Sequence, residues 1–184
     1  KVPDVRLEKL ATMSKSAKVI PAIVEFVDIA GLVKGASLGE GLGNKFLANI
    51  RETDAIVQVV RVFKNSAITH VHNKIDPEHD IEIINMELIL ADLETINKTL
   101  IRLEKEVRGD KKGAIEQLAA VKKIKENLEA GRLANETALD LEEENAKQIL
   151  REISLLTMKP FLFAYNVADI NQKLSDNLEK RNHV

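Results

Sequence analysis

Asp28-Ile29-Ala30-Gly31 sets a carboxylate three residues ahead of a glycine, at the end of the apolar run 22–30. A carboxylate so placed can hold Mg²⁺, usually through water, and a glycine amide unshielded by a side chain can approach a γ-phosphate. The same tetrad also suits an Asp capping a turn before a Gly. The glycines downstream favour the phosphate chemistry: Gly31, Gly35, Gly39, Gly41 and Gly43 put five of the chain's eight glycines in one short loop, a tightly turned or mobile segment. A second tetrad, Asn166-Val167-Ala168-Asp169, comes after another apolar run. Its Asp can accept hydrogen bonds from a guanine edge, although Val167 stands where an N-K-x-D tetrad would pack a Lys stem on the base. A plain strand-ending turn is the alternative. His70, His72 and His79 share a polar stretch, 64–80. Their spacing does not make a zinc site; as solvated loop residues, one could still donate a proton or hydrogen bond to a phosphate.

These residues need a scaffold, and the hydrophobic pattern supplies one. Residues 22–30 and 55–63 are near-continuous apolar runs suited to strands buried on both faces of a parallel sheet. With a helix over Asn44–Glu52 between them they read as a βαβ unit, and 161–167 as a third strand. Asp28 and Asn166 then fall at the carboxyl ends of strands, where open α/β sheets bind ligands. At the start, Asp4 is placed to cap a short helix, Val5–Met13, with Leu7 and Leu10 on one face.

From Asp80 the period changes to about 3.6. Ile83, Met86, Leu90, Leu93, Ile96, Leu100, Leu103 and Val107 predict one apolar stripe along a helix of roughly 40 Å. The segment Arg108–Gly113 breaks it, and Ile115, Leu118, Val121, Ile124 and Leu128 stripe a second helix ending near Gly131. Two long helices joined by a short charged turn make an antiparallel hairpin that is expected to project from the sheet. Arg102, Lys105, Arg108, Lys111 and Lys112 give it a basic tip, a solvated face by default and a possible contact for RNA phosphates. A third helix is expected over about 141–155.

Composition excludes several other classes. The 184 residues are 45% hydrophobic and 30% charged, ordinary for a globular domain rather than a disordered tail. With 27 Lys plus Arg against 29 Asp plus Glu, net charge −2 makes no field that draws nucleic acid by itself, and 3% aromatics argue against a base-stacking surface. The absence of Cys removes disulfides and thiolate metal sites. No run approaches the ~20 apolar residues of a membrane span, so no membrane partner is expected.

With these residues in view, Glu25 through Ser37 together with Gly39 to Asn44 closely resemble the switch II segment of the YchF-type Obg-like ATPases, as does Phe46–Ile56. The resemblance extends through the helical hairpin and Leu155–Val167, roughly residues 2–167. It implies an α/β, G-domain-like P-loop NTPase whose parallel sheet carries an inserted antiparallel α-helical coiled-coil hairpin. The core would be 1–79 and 140–184, the insertion 80–139. It further implies Mg²⁺-dependent hydrolysis of ATP, or GTP, by a cytoplasmic, ribosome-associated switch. Asp28 would serve the metal and Gly31 the γ-phosphate. Leu32 cannot orient water as a Gln would, so the family's catalytic His corresponds to His70. Asn166 and the backbone around Val167 would read the base. Asp169 departs from the family's Glu and is the residue that guanine-specific proteins use. The sequence holds no G-x-x-x-x-G-K-[ST] and no C-terminal TGS-type region. As written, the chain is therefore expected to be part of a larger protein and to be inactive alone. The other class left open is a non-catalytic module that binds a protein or the ribosome through the hairpin.

Overall fold

The computed structural model describes residues 1–29, 42–63, 75–139, 144–169 and 171–181. The chain divides into two compact units, 1–30 and 31–184. In the first, α1 spans Arg6–Ser14. The cap position is Val5 rather than the predicted Asp4, which lies one residue ahead: its Oδ1 accepts the Arg6 backbone N–H at 2.9 Å, and its carboxylate pairs with the Arg6 guanidinium at 2.6 Å. That guanidinium holds the Asp4 carboxyl below its ordinary range. The helix stops at Lys15, whose φ of 47° turns the chain out of the helical path. Residues 22–29 do not form the predicted strand. Among the described residues this stretch has a single backbone–backbone bond, from Val2 N–H to Ala22 O, and no ladder neighbour. Ile23, Val24, Phe26 and Val27 stay 69, 55, 80 and 54% exposed. An apolar strand is stable only with pairing along its edges and cover on its faces, and this unit offers neither.

In the second unit, α2 (Leu42–Arg51) leads to β1 (Ile56–Arg61). Of the three predicted strands, 55–63 and 161–167 form a parallel pair, β1 with β2 (Phe161–Asn166). The register runs from Ile56 opposite Phe161 to Arg61 opposite Asn166, so the two strands end level. Lys159 fastens the entry to β2 by donating from Nζ to the carbonyls of Arg51 (3.0 Å) and Thr53 at the end of α2.

Between the strands lie the helices. α3 spans Pro77–Arg108, beginning earlier than Asp80 because Asp76 accepts the His79 N–H at 3.3 Å and Pro77 fits the first helical position. A turn over 109–113, closed by Gly113 at φ 81°, reverses the chain into α4 (Ala114–Glu129). Ile89, Ile96, Leu103, Val121, Ile124 and Leu128 are the shared core of this pair. The seam does not stand alone. α5 (Glu144–Ile153) packs along it, with Ile149 fully buried in the same cluster and Glu152 paired to Arg102 at 2.7 Å. No helix of the described residues is long and apolar enough to cross a membrane.

The predicted stripe holds from Leu93 to Leu103 but is broken before it. Met86 and Leu90 are 48 and 42% exposed, while Ile81, Leu88 and Ile89 are buried. The first turns of α3 serve a different neighbour: Ile81 packs with Val60, Phe163, Tyr165 and Leu178 in the core under the sheet. Ile115, on the predicted stripe of α4, is 70% exposed. The other members from Leu118 on are half-buried or buried.

Asp92 joins the helices to the sheet. Its carboxylate, 1% exposed, accepts the backbone N–H of Leu156 at 2.9 Å and of Thr157 at 2.8 Å, and the Thr157 hydroxyl at 2.7 Å. The same hydroxyl accepts the N–H of Ala134 at 3.1 Å, just past α4. These bonds set the 3₁₀ turn Leu156–Met158 from which β2 departs.

Candidate functional site

Alternation along β2 sends Phe163 and Tyr165 into the core and leaves Asn166 exposed at the strand's carboxyl end. The pairing continues one step past the strands, where Val62 N–H donates to Asn166 O at 3.0 Å. Val167 then packs its side chain, half-buried, against the Val60–Phe163 cluster. Asp169 is exposed in the turn beyond it. Asn166, Val167 and Asp169, named from spacing alone, thus fall in one turn at the level ends of two parallel strands.

Two residues that no motif contains hold that turn. Asn171 donates its backbone N–H and its side-chain Nδ2 to Asp169 Oδ1, at 2.7 and 3.1 Å. Gln172 donates from Nε2 to Val62 O at 2.8 Å and accepts the Ala168 N–H on Oε1 at 3.2 Å. Its own N–H closes the turn onto Asp169 O at 2.9 Å. The segment beyond is anchored under the sheet. Tyr165 Oη donates to Leu178 O at 3.0 Å, with burial pushing its hydroxyl above the ordinary tyrosine range. Ser175 and Asn177 donate to the Glu78 carboxylate at 2.9 and 3.3 Å.

Asp28 is exposed at the end of the first unit. Gly31 and His70, with Leu32, His72 and most of the glycine-rich loop, lie outside the described residues. His79 sits in the first turn of α3 rather than in a loop. Among the described residues no three His, Cys, Asp or Glu converge as a metal cage. The chemistry of Asp28 still suits Mg²⁺, which takes one or two carboxylate oxygens and keeps several waters, so one exposed carboxylate is a sufficient protein donor.

Comparison with known proteins adds an independent line. A family model described as 50S ribosome-binding GTPase matches residues 6–91. The chain is similar to the ribosome-binding ATPase YchF of Escherichia coli O157:H7, 51% identical over 167 residues, which is 90% of this chain and 45% of that protein. It is similar to the ribosome-binding ATPase YchF of Bacillus subtilis (strain 168), 47% identical over 168 residues, 91% of this chain and 45% of that one. The solved structure of the Schizosaccharomyces pombe YchF GTPase superposes with TM-score 0.69 at 34% identity, covering 98% of this chain and 47% of that one. The chain therefore spans about half the length of the relatives it matches.

Proposed function

We propose, on the premise that this chain belongs to the YchF family and has the P-loop GTPase-family fold, that it forms part of a nucleotide-binding switch that hydrolyses ATP or GTP in association with the ribosome in the cytoplasm. The observation that carries the reading is the exposed turn Asn166–Asp169 at the level carboxyl ends of parallel β1 and β2. In this reading Asn166, the backbone around Val167 and the turn shaped by Asp169 receive the base. Asp28 is the protein's oxygen donor to Mg²⁺, which when bound neutralises phosphate charge. The Gly31 amide approaches the γ-phosphate, and His70 donates a hydrogen bond or proton at the reacting phosphate. The glycines from 31 to 43 make that segment the two-state element, ordering with nucleotide.

Residues 1–79 and 140–184 are then the nucleotide core and 80–139 the coiled-coil insertion. The test is calorimetric titration with ATP and GTP, with and without Mg²⁺, on the protein at its natural length and on its Asp28→Asn variant. Binding that needs Mg²⁺ and weakens in the variant is expected; nucleotide binding indifferent to both would refute the site.

A second reading is favoured by one observation, the exposure of Arg108 and Lys112 beside the turn between α3 and α4. There the chain acts as a binding arm, its tip meeting RNA phosphates, with no need of turnover. Hydrolysis that survives when ribosome association is lost separates the two roles.

A further inference from the structure

Gln172 lies in a polar stretch with no pattern of its own, yet its amide spans the ends of both strands. Nε2 reaches the first carbonyl beyond β1 and Oε1 the second N–H beyond β2. The task needs one donor and one acceptor on a planar head at the end of a long stem, which among side chains describes glutamine. A Glu would set an oxygen against the Val62 carbonyl, and an Asn would fall short of one partner. The backbone bond from Gln172 to Asp169 O makes the same residue the closing member of the turn. Among the described residues, the bond from Gln172 Nε2 to Val62 O is what ties 168–172 to the end of β1.

We infer that Gln172 is the positioning residue of the base pocket. By tying Ala168 to Val62 it sets the height of the 166–169 turn above the sheet, and so the place at which Asn166 and the neighbouring backbone meet a purine edge. The inference rests on the reading of that turn as base-facing. Gln172 touches no nucleotide itself and acts through the turn alone. Its loss should consequently weaken what the base contributes to binding and leave the phosphate contribution intact.

The test is Gln172→Ala and Gln172→Met in the protein at its natural length, Met keeping the bulk without the hydrogen bonds. Both variants should raise the dissociation constant for ATP roughly tenfold and leave that for inorganic tripolyphosphate with Mg²⁺ unchanged. KM should rise with kcat held, because base contacts are equal in ground and transition states. Amide exchange of Ala168 should quicken in both variants. Equal losses for ATP and tripolyphosphate would mean a general structural role and overturn the inference, as would unchanged ATP affinity; either result leaves the nucleotide reading standing. If the parent protein binds neither ATP nor GTP, the base-facing reading falls and this role with it.

Discussion

Asp92 and Thr157, 65 residues apart, meet in the core through two hydrogen bonds to a single carboxylate oxygen, from the Thr157 N–H at 2.8 Å and its hydroxyl at 2.7 Å. The pair welds the middle of α3 to the turn that launches β2. Burial raises the Asp92 carboxyl above its ordinary range, outweighing the donors from Thr157 and Leu156 and the more distant charge of Arg51. A carboxyl whose pKa rises on folding holds its proton more tightly in the native state. Its stabilising contribution is whole below the unfolded value of about 3.9 and is lost as pH climbs through the folded value. The stability difference between the parent and Asp92→Asn should thus shift in favour of the variant as pH rises above the unfolded carboxyl value of about 3.9, read from urea unfolding. A difference flat in pH would contradict the burial argument. Asp92→Ala, which leaves two buried N–H groups unpaired, should cost about 3 kcal/mol.

Gly113 holds φ at 81°, and a Cβ there would stand 2.8 Å from Cγ and Oδ1 of Asn145 on α5. Gly113→Ala should destabilise the helical unit by about 1–3 kcal/mol, measured by denaturant unfolding. Asn145→Ala in the same chain should recover the part due to the clash and leave the part due to backbone conformation. A Gly113→Ala protein as stable as the parent would mean that the turn has another accessible path.

In the turn, Asp169 Oδ1 is committed to Asn171 through two donors. A guanine reader needs both carboxylate oxygens for N1–H and N2–H. Asp169→Asn keeps the acceptor that the turn uses, so the ratio of ATP to GTP affinity should move by less than about threefold. A drop in GTP affinity of about tenfold or more with ATP unaffected, the size expected for loss of one bidentate base contact, would restore Asp169 as a reader of the base.

At the tip, Lys111 is engaged by Glu106 at 3.1 Å, whereas Arg108 and Lys112 project into solvent. Arg108→Glu with Lys112→Glu should weaken ribosome association and flatten its salt dependence by about one logarithmic unit per lost phosphate contact, with nucleotide turnover intact. Lys111→Glu should do less. Co-sedimentation across a salt series decides it; association untouched by the double reversal would remove the tip from the interface.

Much of the fold was legible in residue order, and the failures share a cause. The apolar runs at 55–63 and 161–167 announced β1 and β2, and Asn166 to Asp169 announced the turn, because each signal is local. Met86 and Leu90 misled because a stripe presumes one partner, while the first half of α3 meets the sheet through Ile81 and the 156–158 turn through Asp92. Asp92 itself reads as a surface residue; its donors come from a part of the chain that periodicity cannot see. Residues 22–29 carry a strand's composition, but a ladder is a property of two segments. Gln172 and Asn171 were invisible for the opposite reason, since a polar side chain in a polar stretch acquires meaning only when strand ends are set beside it.

The parallel register of Ile56 with Phe161 has a consequence for the order of assembly. The two strands cannot meet until the intervening chain has gone out and returned, and closing so long a loop in a disordered chain is entropically slow. Helices α3 and α4 are consecutive in sequence and pack on each other across a short turn, so they can form first and shorten the effective loop. Asp92 then receives Leu156 and Thr157 and delivers β2 to β1. Of these elements, the pair β1 and β2, with the 166–169 turn at its end, is then the last to be completed.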